Sequence, residues 1–213
     1  GRRGLPKGPV APWVGRALAR DGVTVQTSTG LDIPPSRGAA NEFPWRPYTV
    51  HIRNHLDANG IMAETGCWND PARTGPRVKK LAEYHKSSRQ HGVFAYSLGD
   101  EIPVRGSCLS PHCLMAYREY LEQEYGLIEA LNASWGSTYE SFDEIELLDP
   151  KDNDGAEARQ QGIYARWYDR QAFQSYNICR YYKAFGDAYR SMDPKAWTGF
   201  TGHSKSGRFG DSI

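Results

Sequence analysis

The chain has 213 residues, enough for one well-buried core. With 39% apolar and 24% charged residues, 22 Gly and 13 Pro, it is globular in composition, and no run approaches the roughly 18 apolar residues of a membrane span. A net charge of +1 argues against a nucleic-acid partner, and four cysteines (Cys67, Cys108, Cys113, Cys179) are too few for a disulfide scaffold and do not fix a redox compartment.

The opening Gly1-Arg2-Arg3-Gly4 has no apolar stretch behind its basic residues, so it does not read as a signal peptide, and it lacks a Met. A short helix pattern runs from about Pro12 to Arg20, closed by Gly22, and the β-branched alternation of Val23 to Thr27 predicts a strand. Ser28 to Pro44 is rich in Gly, Pro and Ser and reads as a loop. A second helical pattern covers roughly Tyr48 to Ala58, with Ile61 to Glu64 as a short strand behind it. Glu42, Trp45 and His51 fit no motif. A helix is expected from about Pro76 to Gln90; its basic stretch Arg77–Lys80 is interrupted by an apolar residue and reads as a solvated face. A buried strand follows at Val93 to Leu98.

Ser110 before Pro111 predicts a helix start, because the hydroxyl accepts a free N–H and proline has none to lose. Leu114, Tyr117, Leu121 and Tyr125 form one stripe, and Gly126 ends it. Lys151 to Gly155 is a polar connection. The longest helix is expected from Ala156 to Met192, with Ile178, Tyr182, Phe185 and Tyr189 on one face and Cys179 in the core. Asp193-Pro194 stops it, and Ala196 to Thr201 reads as a last strand. Residues 23–27, 93–98 and 196–201 are expected to be neighbouring parallel strands. There is no internal repeat and no low-complexity tract.

Alternating strands and helices are the pattern of a parallel sheet with crossover helices, and no G-x-G-x-x-G follows a strand. A doubly wound sheet and a (β/α)₈ barrel both fit, and a full barrel takes about 250 residues. The expectation is an α/β fold: an incomplete (β/α)₈ TIM barrel, about half present, forming one catalytic domain over residues 1–213 that is truncated at its C-terminus and, without an initial Met, at its N-terminus.

The stretch Tyr96-Ser97-Leu98-Gly99-Asp100-Glu101 puts two carboxylates at the C-terminal end of a hydrophobic strand, the end that faces the active site in parallel α/β folds. Adjacent strand residues point to opposite faces, so the pair is not a proton-sharing dyad by default. Glu101 shares its parity with the small Ser97 and Gly99. A cap or a salt-bridge pair is the bland alternative. The 6 Trp, 13 Tyr and 7 Phe offer rings that suit sugar faces, although most such rings fill cores.

From Ala95 onward the sequence resembles the acid/base region of glycoside hydrolase family 42, the β-galactosidase-like barrels. The strand ending in Glu101 is followed by Ser107-Cys108-Leu109-Ser110-Pro111-His112-Cys113, then Leu114 to Leu121, Tyr125-Gly126, Leu131-Asn132-Ala133-Ser134-Trp135-Gly136 and Ser141-Phe142-Asp143-Glu144-Ile145. The likeness is good over about residues 92–146, weaker to Thr201 and vague before Gly60. It implies a retaining O-glycosyl hydrolase cleaving terminal β-linked sugars, with Glu101 as general acid/base and a carboxylate nucleophile on a strand beyond this chain. Glu64 and Asp211 have no flanks that mark them for that role. The family has Asn before its acid/base glutamate, where this chain has Asp100. An ionised Asp only accepts hydrogen bonds, and its charge tends to raise the pKa of Glu101. Trp68, Asn69 and His203 are further candidates for substrate binding.

The same resemblance implies no cofactor for catalysis but a structural zinc held by Cys67, Cys108 and Cys113. Ser110 stands where the family has another loop cysteine, and His112 is a candidate fourth ligand. Free thiols and a Cys108–Cys113 disulfide are the alternatives. The partner expected is a carbohydrate substrate, with no nucleic acid and no membrane; homo-oligomerisation of a full-length form stays open. A catalytically silent barrel that binds carbohydrate or a protein is the reading from another class.

Overall fold

A computed structural model of the chain describes residues 20, 26–27, 45–46, 58–61, 66–86, 89, 93, 95–102, 106–147 and 155–203. Among them are strands β1 (Gln26–Thr27) and β2 (Trp45–Arg46), helix α1 (Pro71–Lys86) and strand β3 (Ala95–Ile102). Helices α2 (Pro111–Tyr125) and α3 (Ile128–Trp135), a 3₁₀ turn (Phe142–Glu144), helices α4 (Gly155–Gln160) and α5 (Tyr164–Met192) and strand β4 (Trp197–His203) follow. No helix among the described residues is long and apolar enough to cross a membrane. The helix patterns expected at 12–20 and 48–58, and most of the strands expected at 23–27 and 61–64, lie outside the described residues.

Contacts divide the chain into two compact units, one of residues 1–51, 78–101 and 185–202, the other of residues 52–77, 102–184 and 203–213. In the first, β1 pairs with β2 in parallel, Gln26 opposite Trp45, and β3 pairs with β4. The expected neighbourhood of β3 and β4 is found. The expected pairing of residues 23–27 with them is not seen among the described residues, where Gln26–Thr27 takes β2 as its partner in a separate sheet. Tyr96, Ser97 and Leu98 are all buried, so both faces of β3 are covered over these residues. Tyr96 stacks on Tyr189 with ring centroids 4.6 Å apart. Its hydroxyl donates to Asp193 Oδ2 at 3.2 Å, and Arg89 reaches the other oxygen at 3.7 Å. Asp193 therefore ends α5 and anchors the turn into β4: its own N–H returns to Tyr189, and Ala196 N–H bonds its carbonyl.

In the second unit α1 starts five residues earlier than expected. Asp70 Oδ1 accepts the Ala72 N–H at 3.0 Å and Pro71 follows it, the same start signal as Ser110-Pro111. Pro76 lies inside the helix rather than at its head. α2 begins and ends as its sequence requires: Ser110 accepts the Cys113 N–H, and Gly126, at φ 72°, returns its N–H to Glu122. Its buried face is Cys113, Ala116, Tyr117, Tyr120 and Leu121, rotated from the stripe expected through Leu114 and Tyr125, which are half-buried. Phe173 of α5 packs against Tyr117 and Tyr120 of α2. Burying side chains of this size is worth about 1.5–3 kcal/mol each.

The expected single helix from Ala156 to Met192 is two helices. Gly162, at φ 75°, lets the Ile163 N–H reach back to Ala158 and closes α4 before α5 begins. Ile178, Tyr182, Phe185 and Tyr189 are buried as expected. Cys179 is not: it is exposed, because it sits one residue round the helix from that stripe.

Candidate functional site

The backbone places Asp100 and Glu101 as the sixth and seventh residues of β3, one position short of its end at Ile102, and His203 as the last residue of β4. The strand runs four residues past the expected Leu98. The described residues also bring together a sulfur cluster. Cys67, Cys108 and Cys113 are all buried, all free of disulfides, and offer sulfurs within 4.8 Å of one another. No Cys108–Cys113 disulfide forms.

Cys67 lies just before α1, and the other two straddle the head of α2. The loop before that helix is held from several sides. Leu109 N–H bonds the Gly60 carbonyl at 2.9 Å. Asn177 donates to the Gly106 carbonyl, and Arg170 donates through Nη1 to Ser107 Oγ. A Cβ on Gly106 would sit 2.1 Å from the Gln174 carbonyl oxygen, so only glycine lets the loop pass this close to α5. Two N–H groups point at Cys113 Sγ, the backbone of Cys108 at 3.3 Å and Asn69 Nδ2 at 3.5 Å. Ser110 Oγ lies 3.4 Å from Cys108 Sγ and 3.2 Å from the Cys113 nitrogen.

These contacts set the acidity of the thiols. The thiols of Cys113 and Cys67 hydrogen-bond to Cys108 and hold its pKa well below the usual thiol range. Cys113 is pushed up by its hydrogen bonds to Cys108 and Cys67 and by burial. Cys67 is raised, chiefly through Cys108. One thiolate is favoured, and a second or third needs a cation among them. Arg170 is 2% exposed, and among the described residues its Nε and Nη2 have no hydrogen-bond partner. Burial lowers its pKa, while Cys113, Tyr117 and Cys108 raise it. A buried cation with one hydrogen bond is costly unless negative charge stands nearby.

Three buried thiols, N–H groups aimed at a sulfur and an under-partnered arginine form a donor set that fits a thiophilic, tetrahedral ion such as zinc. His112 does not join it. Its Nε2 stands 3.9 Å from Asp70 Oδ1 with the side chain 48% exposed, because Asp70 at the head of α1 draws it outward. Trp68 and Asn69 also depart from expectation. Trp68 is buried, with one face stacked on Tyr181 at 4.3 Å and its edge against Tyr182, so it packs α5 instead of offering an open face to a sugar. Asn69 turns its amide to Cys113.

The Leu-Asn-x-x-Trp-Gly element closes α3. Gly136 takes φ 65°, and Asn132 Oδ1 accepts from Ser137 Oγ and from the Tyr139 N–H while its Nδ2 donates to the Tyr139 carbonyl. Trp135 Nε1 donates to Asp169 Oδ2 at 2.7 Å, and Tyr125 Oη donates to the same oxygen at 2.6 Å. Asp169 on α5 thus ties α2 and α3 together, a role the sequence does not mark.

Residues 72–206 match the model of glycoside hydrolase family 42, described as beta-galactosidase. The chain is 30% identical over 168 residues to beta-galactosidase Bga of Halorubrum lacusprofundi, covering 72% of this chain and 22% of that protein. It is 44% identical over 153 residues to beta-galactosidase BgaA of a Thermus species, covering 63% of this chain and 22% of that protein. Among solved structures, the beta-galactosidase of Rahnella sp. R3 superposes with a TM-score of 0.64 at 14% identity, over 91% of this chain and 33% of that one. The fold is shared, and the chain spans about a fifth of the length of these sequence relatives.

Proposed function

This chain belongs to glycoside hydrolase family 42, and on that footing we propose that it is part of a retaining β-galactosidase-like barrel, with Glu101 as its general acid/base. What carries the reading is the match over residues 72–206 together with the position of Glu101 at the end of a buried strand. In a (β/α)₈ barrel the C-terminal ends of the strands form the mouth where substrate binds, and this chain supplies a part of that ring. Glu101 protonates the oxygen of the leaving sugar. A carboxylate nucleophile about 5–5.5 Å away, on a strand beyond residue 213, takes the glycosyl group, and Glu101 then deprotonates the attacking water. Asp100 accepts a hydrogen bond from a sugar hydroxyl and, being charged, favours the protonated form of its neighbour. His203, the last residue of the neighbouring strand β4, supplies a further hydrogen-bonding group. The substrate is a terminal β-linked galactoside.

Cys67, Cys108 and Cys113 hold a structural zinc in this reading. These three residues would hold the ion, whose charge would offset that of the thiolates and steady the loop before α2, and no catalytic step passes through it.

The test is Glu101→Gln in the intact protein that carries this chain. Turnover of an unactivated β-galactoside should fall by about 10²–10⁴-fold, the usual worth of general acid catalysis. Aryl galactosides whose leaving group needs no proton should keep their glycosylation rate, and azide should restore turnover where deglycosylation has become limiting. Undiminished activity of the variant on an unactivated disaccharide would show Glu101 to be a structural carboxylate. A wild-type protein that binds galactosides without turning them over would favour the silent barrel.

A further inference from the structure

The cysteine cluster offers three sulfurs, and a tetrahedral ion asks for a fourth donor. Histidine is excluded by the outward turn of His112, and no fourth His, Cys, Asp or Glu among the described residues joins the group. Ser110 is 5% exposed and sits at the cluster. Its Oγ is 3.4 Å from Cys108 Sγ. With metal–sulfur bonds of about 2.3 Å and a metal–oxygen bond of about 2.0 Å, the sulfur–oxygen edge of a tetrahedron is about 3.5 Å and the sulfur–sulfur edge about 3.8 Å. The Cys108–Ser110 spacing already equals a ligand edge, and the three sulfurs, within 4.8 Å of one another, need only a small contraction.

The hydroxyl also has the lone pairs for the task. It accepts the Cys113 N–H at 3.2 Å as the cap of α2, which uses one and leaves one. Charge favours a neutral fourth donor. A divalent ion with three thiolates carries −1, and the buried guanidinium of Arg170, whose Nε and Nη2 lack a protein acceptor among the described residues, supplies +1. A fourth thiolate would leave −2 against one arginine in a dry interior, where an unmatched charge is expensive.

We propose that Ser110 Oγ is the fourth ligand of the ion held by Cys67, Cys108 and Cys113, bound as a neutral hydroxyl, with Arg170 as the counter-charge. The proposal rests on the zinc reading above and assigns the chain a three-sulfur, one-oxygen centre with its coordination closed by protein. Binding displaces the remaining thiol protons to solvent and leaves the serine proton in place.

The experiment loads the intact protein with cobalt(II) as a spectroscopic stand-in for zinc. It reads the sulfur-to-metal charge-transfer and visible bands, and the electron paramagnetic resonance linewidth in ¹⁷O-enriched water. X-ray absorption of the zinc form counts sulfur and oxygen neighbours. The expected result is one ion per site with three sulfurs at about 2.3 Å and one oxygen at about 2.0 Å. No ¹⁷O broadening is expected in the wild type. Ser110→Ala admits water, so broadening should appear and zinc affinity in chelator competition should fall by at least about tenfold. Ser110→Cys should add a fourth sulfur and move the visible bands to lower energy, which also serves if the alanine variant folds poorly. ¹⁷O broadening in the wild type, a spectrum unchanged in Ser110→Ala, or three sulfurs persisting in Ser110→Cys would each overturn the serine ligand while leaving the metal site standing. Absence of any charge-transfer band would overturn the zinc reading itself, and the serine ligand with it.

Discussion

Replacing Asp169 by alanine should loosen the join of α2, α3 and α5, and the structure sets the size of the effect. One carboxylate oxygen accepts from Trp135 Nε1 at 2.7 Å and from Tyr125 Oη at 2.6 Å. Hydrogen bonds to a charged acceptor are worth about 1.5–3 kcal/mol each. Among the described residues the Trp135 indole N–H has Asp169 as its acceptor, whereas Tyr125 also meets Ser134 Oγ at 3.1 Å and can turn its proton there or to water. The Trp135 bond should therefore count nearly in full and the Tyr125 bond at a fraction, giving a loss of about 2–4 kcal/mol for Asp169→Ala. Trp135→Phe removes only the indole donor. A double-mutant cycle of the two, read by urea denaturation with near-ultraviolet circular dichroism, should give a coupling of about 1.5 kcal/mol or more. Asp169→Asn keeps an acceptor oxygen without its charge and should lie midway. A coupling below about 0.5 kcal/mol, the scatter of independent sites, would refute the idea that this carboxylate joins the helices.

Two glycines should respond in opposite directions. Gly106→Ala forces a methyl to within 2.1 Å of the Gln174 carbonyl oxygen and should cost at least about 1–3 kcal/mol, whereas Gly75→Ala, exposed on α1 with nothing within 4 Å, should gain about 0.5–1 kcal/mol. Urea midpoints moving the same way in both would contradict the packing at Gly106. Alkali should unfold the protein through its buried tyrosines. Burial pushes the phenols of Tyr120 and Tyr181 up to about 12, and those of Tyr96 and Tyr117 higher still. Unfolded tyrosine ionises near pH 10, so above that pH the folded state binds more protons, and stability falls as pH rises toward the folded values. Below about pH 10 these groups should contribute no pH dependence. Phenolate absorbance followed beside far-ultraviolet circular dichroism checks this, and ordinary titration of all tyrosines in a still-folded chain would refute it.

What the sequence made legible was local punctuation. Ser110-Pro111 and Gly126 bound α2 because a hydroxyl acceptor, a proline without an N–H and a left-handed glycine each act within one helical turn. The same signal at Asp70-Pro71 lost out to Pro76, read as a helix head, although a proline can also lie within the helix body. The break at Gly162 was hidden by helix formers on both sides. Contacts between distant residues were illegible for a plainer reason. Nothing near Asp169 announces Trp135, and nothing near Arg170 announces the loop at Ser107. The gathering of Cys67 with Cys108 and Cys113 was foreseen only through the family likeness, and that likeness did not show that Trp68 would be spent on Tyr181.

The meeting of Cys67 with Cys108 also has a topological side. Between them in sequence lie α1 and β3, so the cluster closes the neck of a long stretch of chain. A metal bound there would tie the chain across roughly 40 residues and remove about 4 kcal/mol of chain freedom from the unfolded ensemble. The Leu109–Gly60 hydrogen bond closes the same neck a few residues outside the sulfurs. Folding thus has a seam at this place. With a metal holding its two ends, that stretch would open and close again as a loop rather than as a free chain.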